Sequence, residues 1–179
     1  LSGNFATFCG WLLPPDGDVV LVSERPAEAT AWLRKVGLDR VIGYLDRGML
    51  GYGMTGSPLA HVPLLSAEAL HRLTQSGEPM TLVDVRSSAE FSRSHIEGAV
   101  NIPLADLRTR HTELDRGLRT VVICGSGQRS STGCSLLLQR GFANVINVAG
   151  GMSAYSALGF APRCPLCVAP HGPQVSEEP

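Results

Sequence analysis

The sequence predicts an α/β fold with a mostly parallel sheet flanked by helices. Short apolar runs, typical of buried strands, alternate with longer segments that have helical apolar spacing. The predicted strands are Thr81–Asp84, Ala99–Ile102, Thr120–Ile123 and Asn144–Val148. A thiol, Cys124, directly follows the third strand. It therefore lies at the carboxyl end of a strand, the edge at which open parallel sheets bind ligands.

Glycine and proline divide the chain into three predicted segments. The stretch 48–58 is rich in glycine and predicts a linker. Ser66 then caps a helix that begins at the next residue. The segments are a first unit with its linker at 1–57, a second unit at 58–160 and a proline-rich tail at 161–179.

Composition excludes several classes of protein. The chain has 179 residues, of which 44% are hydrophobic and 17% charged, so it can bury one or two cores and is not disordered. A net charge of −1 gives no basis for a nucleic-acid surface, and no apolar run reaches membrane-spanning length. Five cysteines, an odd number, favour a reducing compartment. We predict a cytoplasmic location and no cofactor.

The candidate site is the loop 124–130, which reads Cys-Gly-Ser-Gly-Gln-Arg-Ser. Gly125 and Gly127 allow positive φ, so that successive N–H groups can converge on one spot. A helix predicted to begin near Ser130 adds unpaired amides and the positive end of its dipole. A thiolate, the reactive form of cysteine, is favoured in such a ring. Taken alone, the loop leaves open a buried, inert cysteine beside an ordinary turn.

The stretch from 82 to 155 resembles a rhodanese domain, the sulfurtransferase fold. The motifs that carry the resemblance occur in the family's order. They are Val83-Asp84-Val85-Arg86, Glu90-Phe91, His95–Ala99, Asn101–Pro103, the Cys124 loop, Gly141-Phe142 and Gly150–Met152. The resemblance implies a rhodanese-like sheet and sulfur transfer through a persulfide on Cys124.

Loop length separates two chemistries that are known on this fold. The related phosphatases place five residues between cysteine and arginine, in a ring that encloses phosphate. Here four residues, 125–128, separate Cys124 from Arg129. The tighter ring favours a sulfur atom carried on the cysteine. A phosphatase or arsenate reductase on the same fold, and a non-catalytic interaction module, remain the alternatives.

By this resemblance, Cys124 takes sulfur from thiosulfate or a low-molecular-weight persulfide and passes it to a thiol, or to cyanide in an assay. Arg129 is predicted to hold the loop and attract the anionic donor; the other interpretation is a solvent-facing cation at a helix start. The predicted substrate-binding loop comprises Gly125, Ser126, Gly127, Gln128 and Ser130.

Three polar residues before the loop are predicted to be structural. In the family, an Asp and an Arg at the end of the early strand organise the domain, which implies that Asp84 and Arg86 are supports. His95 has no base, carboxylate or metal partner visible in the sequence, so we expect a structural role.

The first third of the chain contains a faint internal repeat. Val19–Val22 matches Val121–Cys124, and residues 1 to about 55 look like the back half of another rhodanese-type unit. Val22 stands in the place of the cysteine, and Pro26 has no amide to donate. We therefore predict an inactive unit whose role is packing, through Trp32, Leu33 and Val36.

The start of the repeat suggests a longer protein. Leu1 matches Leu104, so the first unit would lack its own front half, and we expect the chain to be a fragment or processed product. The tandem resembles the C-terminal part of metallo-β-lactamase–rhodanese fusion proteins. That resemblance implies a persulfide as sulfur source and a metallo-β-lactamase-fold domain as partner. The metal motif of that domain, His-x-His-x-Asp-His, does not occur in this sequence.

The other cysteines fall into two groups. Cys9 and Cys134 are predicted core residues. Cys164 and Cys167 form a C-x-x-C pair with His171 nearby. A zinc half-site, a redox pair and a disulfide remain open for this pair; a structural zinc site would need four ligands, and we predict no metal.

Overall fold

The computed structural model describes residues 3–59 and 61–160, which belong to two compact units that meet in sequence between His61 and Val62. The predictions for 161–179, including those for Cys164, Cys167 and His171, lie outside the described residues.

Unit 1, the part through His61, alternates helices and strands. Its elements are α1 (Phe5–Leu12), β1 (Val19–Val22), α2 (Pro26–Arg34), β2 (Val41–Leu45) and α3 (Gly48–Met54). The two strands pair in parallel, and α1 and α2 cover one face of the pair. The core of this unit consists of Leu21, Ala29, Leu33 and Leu38.

Unit 2, which begins at Val62, is the larger one. Its strands are β3 (Leu64–Leu65), β4 (Met80–Asp84), β5 (Val100–Asn101), β6 (Arg119–Ile123) and β7 (Val145–Val148). Its helices are α4 (Ala67–Ser76), α5 (Ser88–Arg93), α6 (Leu104–Arg110), α7 (Gln128–Gln139) and α8 (Gly151–Ala157), with a 3₁₀ turn at His111–Glu113.

The five strands of unit 2 form one sheet in the order β3-β7-β6-β4-β5, and all neighbours are parallel. The predicted α/β fold with a mostly parallel sheet is confirmed. Strand β6 lies in the centre, where Ile123 pairs with Asp84 of β4 and Val122 with Asn147 of β7. The residue that follows β6, Cys124, is therefore flanked by the ends of two further strands.

Helices pack on both faces of this sheet because β6 is apolar on both sides. Val121 and Ile123 belong to a buried cluster with residues of α4 and α8. Val122 points to the other face, towards α7. A β-carbon at Gly133 of α7 would lie 3.3 Å from the Leu107 side chain and 3.6 Å from Val122. Glycine at this position lets α7 lie close to the sheet, with its first turn at the end of β6.

Polar caps fix the starts of α4 and α5. The Ser66 hydroxyl accepts a hydrogen bond from the Ala69 N–H at 3.2 Å, which confirms the predicted cap. At α5, Ser87 and Glu90 form a capping box in which each side chain binds the other residue's amide.

The structure corrects three predicted boundaries. Residues 48–58, predicted to be a linker, begin with helix α3, where a β-carbon at Gly51 would collide with the Asp46 carbonyl oxygen. Helix α7 begins at Gln128 rather than near Ser130. The predicted strand Ala99–Ile102 has only two ladder residues, because it lies at the sheet edge and is followed by Pro103, which has no N–H to extend the ladder.

Two predicted packing residues of unit 1 differ in their exposure. Leu33 is fully buried, whereas Val36 is 39% exposed. The reason is that α2 ends at Arg34, so that the helical spacing does not extend to Val36. Among the residues that the structure describes, no helix is long and apolar enough to cross a membrane.

Candidate active site

The sulfur of Cys124 accepts two hydrogen bonds at the end of β6. The side chain is 1% exposed. The Gly127 N–H donates to Sγ at 3.1 Å, and the Ser130 hydroxyl donates to it at 3.3 Å. An amide and a hydroxyl thus face the thiol from the loop and from the first turn of α7. Both are suited to hold negative charge on sulfur.

The first two carbonyl groups of the loop, those of Cys124 and Gly125, accept hydrogen bonds from α8. The Met152 N–H donates to the Cys124 carbonyl at 2.8 Å, and the Ser153 N–H donates to the Gly125 carbonyl at 3.0 Å. Gly151, the residue before Met152, has φ +55°, and a β-carbon there would collide with the Cys124 carbonyl oxygen. Only glycine allows this approach. The start of α8 therefore fixes the loop on the side away from the sulfur.

Gly127 is held in the left-handed conformation that aims its N–H at the sulfur. Its φ is +97°, a value that glycine adopts without strain. Its carbonyl accepts hydrogen bonds from the Ser131 N–H at 3.1 Å and from Asn147 Nδ2 at 3.4 Å. Sequence reasoning missed Asn147, because its position one strand away is set by the register of β6 and β7.

Arg129 is engaged by a carboxylate. Its Nη1 donates to Glu90 Oε2 at 2.7 Å and its Nη2 to Glu90 Oε1 at 2.8 Å. The hydrogen bonds from Arg129 are the main reason why the pKa of Glu90 falls to about 2. The same contact raises the pKa of Arg129. This pair links α7 to the start of α5.

The sequence contained one signal for Glu90. The pattern Ser-x-x-Glu at 87–90 is that of a capping box, which predicts a carboxylate at a helix start. It does not predict the pairing with Arg129, which is 39 residues away in sequence.

Asp84 and Arg86 form a buried ion pair at the end of β4. Arg86 Nε lies 2.9 Å from Asp84 Oδ2, and Arg86 Nη2 lies 2.6 Å from the same oxygen. Arg86 Nη2 also donates to the Ser94 carbonyl at 2.6 Å. These contacts fit the predicted supporting role, which stays a prediction. Neither side chain has a described hydrogen bond to the loop 124–130.

The remaining predicted residues differ in accessibility. Ser126 and Gln128 are exposed, whereas Gly125 is half-buried. The His95 ring stacks on Phe91 at 4.1 Å between centroids, and its Nδ1 lies 3.0 Å from the Phe91 carbonyl oxygen. These contacts belong to α5 and not to the loop.

The other described cysteines lie in the two cores. Cys134 is fully buried in α7, and this burial raises the pKa of its thiol to about 12. Cys9 is half-buried against the core of unit 1. Within 3–59 and 61–160, no three His, Cys, Asp or Glu side chains are placed to hold a metal ion.

Known proteins resemble this chain in both sequence and structure. The "Rhodanese-like domain" family model matches residues 66–158. The "Putative sulfur carrier protein YrkF" of Bacillus subtilis is 33% identical over 132 residues, 70% of this chain and 71% of that protein. A "Sulfurtransferase" of Allochromatium vinosum is 32% identical over 108 residues, 60% of this chain and 96% of that protein.

A solved structure matches a little over half of this chain in fold. The rhodanese-related protein from Thermoplasma volcanium superposes with a TM-score of 0.53 at 28% identity, covering 57% of this chain and 98% of its own. The names of the relatives support sulfur transfer at the level of the family. The fusion to a metallo-β-lactamase-fold domain stays a prediction. On the family model, the relatives and the fold, this chain belongs to the rhodanese-like domain family.

Proposed function

We propose that unit 2 is a sulfurtransferase that moves a sulfane sulfur from thiosulfate or a low-molecular-weight persulfide to a thiol through a persulfide on Cys124. The observation that carries the proposal is the pair of hydrogen bonds to Cys124 Sγ, from the Gly127 N–H and the Ser130 hydroxyl. The family-level similarity to proteins named as sulfurtransferases supports it.

The reaction has two steps, each an attack of one sulfur on another. The Cys124 thiolate attacks the outer sulfur of the donor, the donor's sulfur–sulfur bond breaks, and sulfite or a thiolate leaves with the electron pair. The enzyme then carries a Cys–S–S⁻ group. An acceptor thiolate attacks the terminal sulfur, leaves as a persulfide and restores the Cys124 thiolate. The two steps give ping-pong kinetics.

The loop contributes positioning and electrostatics to both steps. The terminal sulfur lies about 2 Å beyond Sγ, the length of a sulfur–sulfur bond. The N–H groups of 128–130 open α7 and therefore have no acceptor within the helix. These donors and the positive end of the helix favour negative charge at that point. The same features stabilise the leaving cysteine thiolate in the second step.

The spacing of the loop supports sulfur over phosphate. Four residues separate Cys124 from Arg129, and the guanidinium of Arg129 binds Glu90. A phosphatase needs its arginine on the phosphoryl oxygens. We therefore expect no hydrolysis of an aryl phosphate, and measurable hydrolysis that is lost in Cys124→Ser would replace the proposal with the phosphatase.

The test is intact-protein mass spectrometry after brief exposure to thiosulfate or glutathione persulfide. We expect a gain of one sulfur, about 32 Da, that cyanide or a thiol removes, as a covalent intermediate requires. Cys124→Ser should lose this gain. Cys134→Ser is the matched control, because its thiol is buried and it should load like the wild type. A folded protein that gains no sulfur from either donor would contradict the proposal and favour an interaction module.

We also propose that unit 1 is a non-catalytic rhodanese-like repeat. Its order α1-β1-α2-β2-α3 repeats the order α6-β6-α7-β7-α8, and both strand pairs are parallel. The absence of a thiol at Val22 and the proline that opens α2 support the loss of chemistry.

A further inference from the structure

Both guanidinium groups near Cys124 are already paired. Arg129 binds both oxygens of Glu90 through two nitrogens, at 2.7 and 2.8 Å. Arg86 binds both oxygens of Asp84 in a pair whose side chains are at most 8% exposed. The bidentate geometry is the strongest form of such a pair. Each positive charge is therefore already balanced by a carboxylate before an anionic substrate arrives.

These two ion pairs therefore contribute no net charge beside the loop. Arg129 and Arg86 contribute two positive charges, and Glu90 and Asp84 contribute two negative ones. The remaining loop residues, 125–128 and 130, carry no ionisable side chain. The pKa of Glu90 lies at about 2, so this carboxylate keeps its charge at neutral pH.

Neutral surroundings discriminate between the two donor classes. Thiosulfate carries two negative charges, so its reaction with the Cys124 thiolate brings three together, and two of them leave on sulfite. A protonated persulfide is uncharged at its reacting end. In the reaction with a protonated persulfide, the Cys124 thiolate supplies the only charge among the reacting sulfur atoms, and the donor leaves as a thiolate. Repulsion between like charges at contact distance is large in a partly dry site, so thiosulfate would gain more from a free cation than a persulfide would.

We propose that Glu90 is a specificity-determining residue, which neutralises Arg129 and thereby selects persulfide donors over thiosulfate. The inference rests on the proposed function and names the donor class of the same site. Glu90 acts through Arg129 and not by contact with the donor. Its removal should expose a positive charge beside the loop and open the site to thiosulfate.

Glu90→Gln isolates this effect because it removes charge and little else. Glutamine occupies the same position in capping boxes and can still accept the Ser87 N–H. Its amide oxygen can keep one hydrogen bond from Arg129. Glu113→Gln is the matched control, since Glu113 binds both Arg110 nitrogens at 2.7 and 2.9 Å. It changes net charge by the same amount in a bidentate pair that has no described contact with the loop.

The experiment measures the rate at which Cys124 gains a sulfur, by intact mass, with thiosulfate and with cysteine persulfide. We expect the wild type to load faster from the persulfide. In Glu90→Gln, the thiosulfate rate should rise about tenfold, which corresponds to one modest ion interaction, and the ratio of the two rates should move towards thiosulfate. Glu113→Gln should leave the ratio unchanged.

Salt dependence tests the same inference without a variant. Wild-type loading from thiosulfate should become faster with added potassium chloride, because salt screens repulsion between the thiolate and the dianion. A rate that falls with salt would reveal an attracting cation and overturn the inference. So would equal rates from the two donors, or a Glu90→Gln variant that loses both rates in parallel. If wild-type Cys124 loads from neither donor, the proposed function itself fails.

Discussion

The loop after β1 and the loop after β6 share a frame but differ in chemistry. Each joins a parallel strand to a helix, and each is approached by a glycine with positive φ from a later element. Gly48, with φ +56°, lies against the backbone of Ser23 and Glu24. Gly151, with φ +55°, lies against that of Cys124 and Gly125. The close backbone packing is therefore common to both units.

The donors that converge on sulfur exist only in the second loop. In unit 1, the position of the thiol is held by Val22, which is 49% exposed. The Arg25 N–H donates to the Ser23 hydroxyl at 3.0 Å, and Pro26 opens the helix without an N–H. The comparison indicates that a strand, a turn and a helix do not make this site. The second loop differs from the first in the glycine at 127 and the hydroxyl at 130, which donate to the sulfur.

The largest effect on stability should come from Gly151, and Gly48, at the matching position of unit 1, provides the comparison. In Gly151→Ala, the new methyl group would collide with the Cys124 carbonyl oxygen, so the backbone must move. We expect a loss of more than about 3 kcal/mol in the free energy of unfolding. In Gly48→Ala, the nearest backbone atom is 3.4 Å away, and only the left-handed strain of about 1–2 kcal/mol applies. Urea unfolding measures both, and equal losses would contradict the comparison.

Removal of the Ser130 hydroxyl should slow sulfur loading. Ser130→Ala deletes one of the two donors to Cys124 Sγ. A hydrogen bond to a charged group is worth about 1.5 kcal/mol or more, so we expect loading to slow about tenfold. Ser131→Ala, at the exposed neighbouring position, should load like the wild type. Equal rates in the two variants would show that the hydroxyl does not stabilise the reacting sulfur.

The Glu90–Arg129 pair should give unit 2 a dependence of stability on acid. The folded pKa of Glu90, about 2, lies below the ordinary value of 4.5. The pair therefore stabilises the fold above the unfolded pKa, and this contribution is lost as the pH falls through the folded pKa. At neutral pH we expect Glu90→Gln to lower the free energy of unfolding by about 1 kcal/mol.

The pH profile of that difference is the decisive measurement. Denaturant unfolding of wild type and Glu90→Gln should show a constant gap near neutrality that narrows between pH 4.5 and about 2. A gap that is independent of pH would mean that packing, and not the charge of Glu90, causes the loss.

The smallest effect should follow from a thiol placed in unit 1. We expect Val22→Cys, combined with Cys124→Ser, to gain no sulfur that a thiol acceptor removes. The turn after β1 offers the introduced sulfur no ring of glycine amides, and its helix opens with proline. Loading at the new cysteine at the wild-type rate would show that the frame alone is sufficient.

Local sequence signals predicted much of the fold. The apolar strands, the Ser66 cap and the position of Cys124 after a central strand depend on periodicity and turn chemistry, which act over a few residues. The helix at Gly48–Met54 could not be predicted, because its glycines read as a linker and their close approach to other backbone is visible only in three dimensions. In this segment the glycine-rich composition predicted a linker, whereas the packing of the backbone produced a helix.

The candidate site was predicted only in part, because local signals reach only those residues that are close together in the sequence. The loop itself is contiguous, so its glycines and thiol could be found by inspection of 124–130. The residues that orient it come from elsewhere in the sheet. Asn147 and Glu90 contact the loop through strand register and helix placement, over 20 and 39 residues of sequence. No pattern within a single element specifies such pairings.

The most direct test of a sulfur-carrying Cys124 is a single-turnover chase. Protein loaded with radiolabelled sulfur would be separated from the donor and mixed with an acceptor thiol, and the release of label would be followed in time. We predict release of one sulfur per chain at a rate no slower than steady-state turnover, as a true covalent intermediate requires. Label that stays on the protein, or leaves more slowly than turnover, would contradict a catalytic persulfide at Cys124.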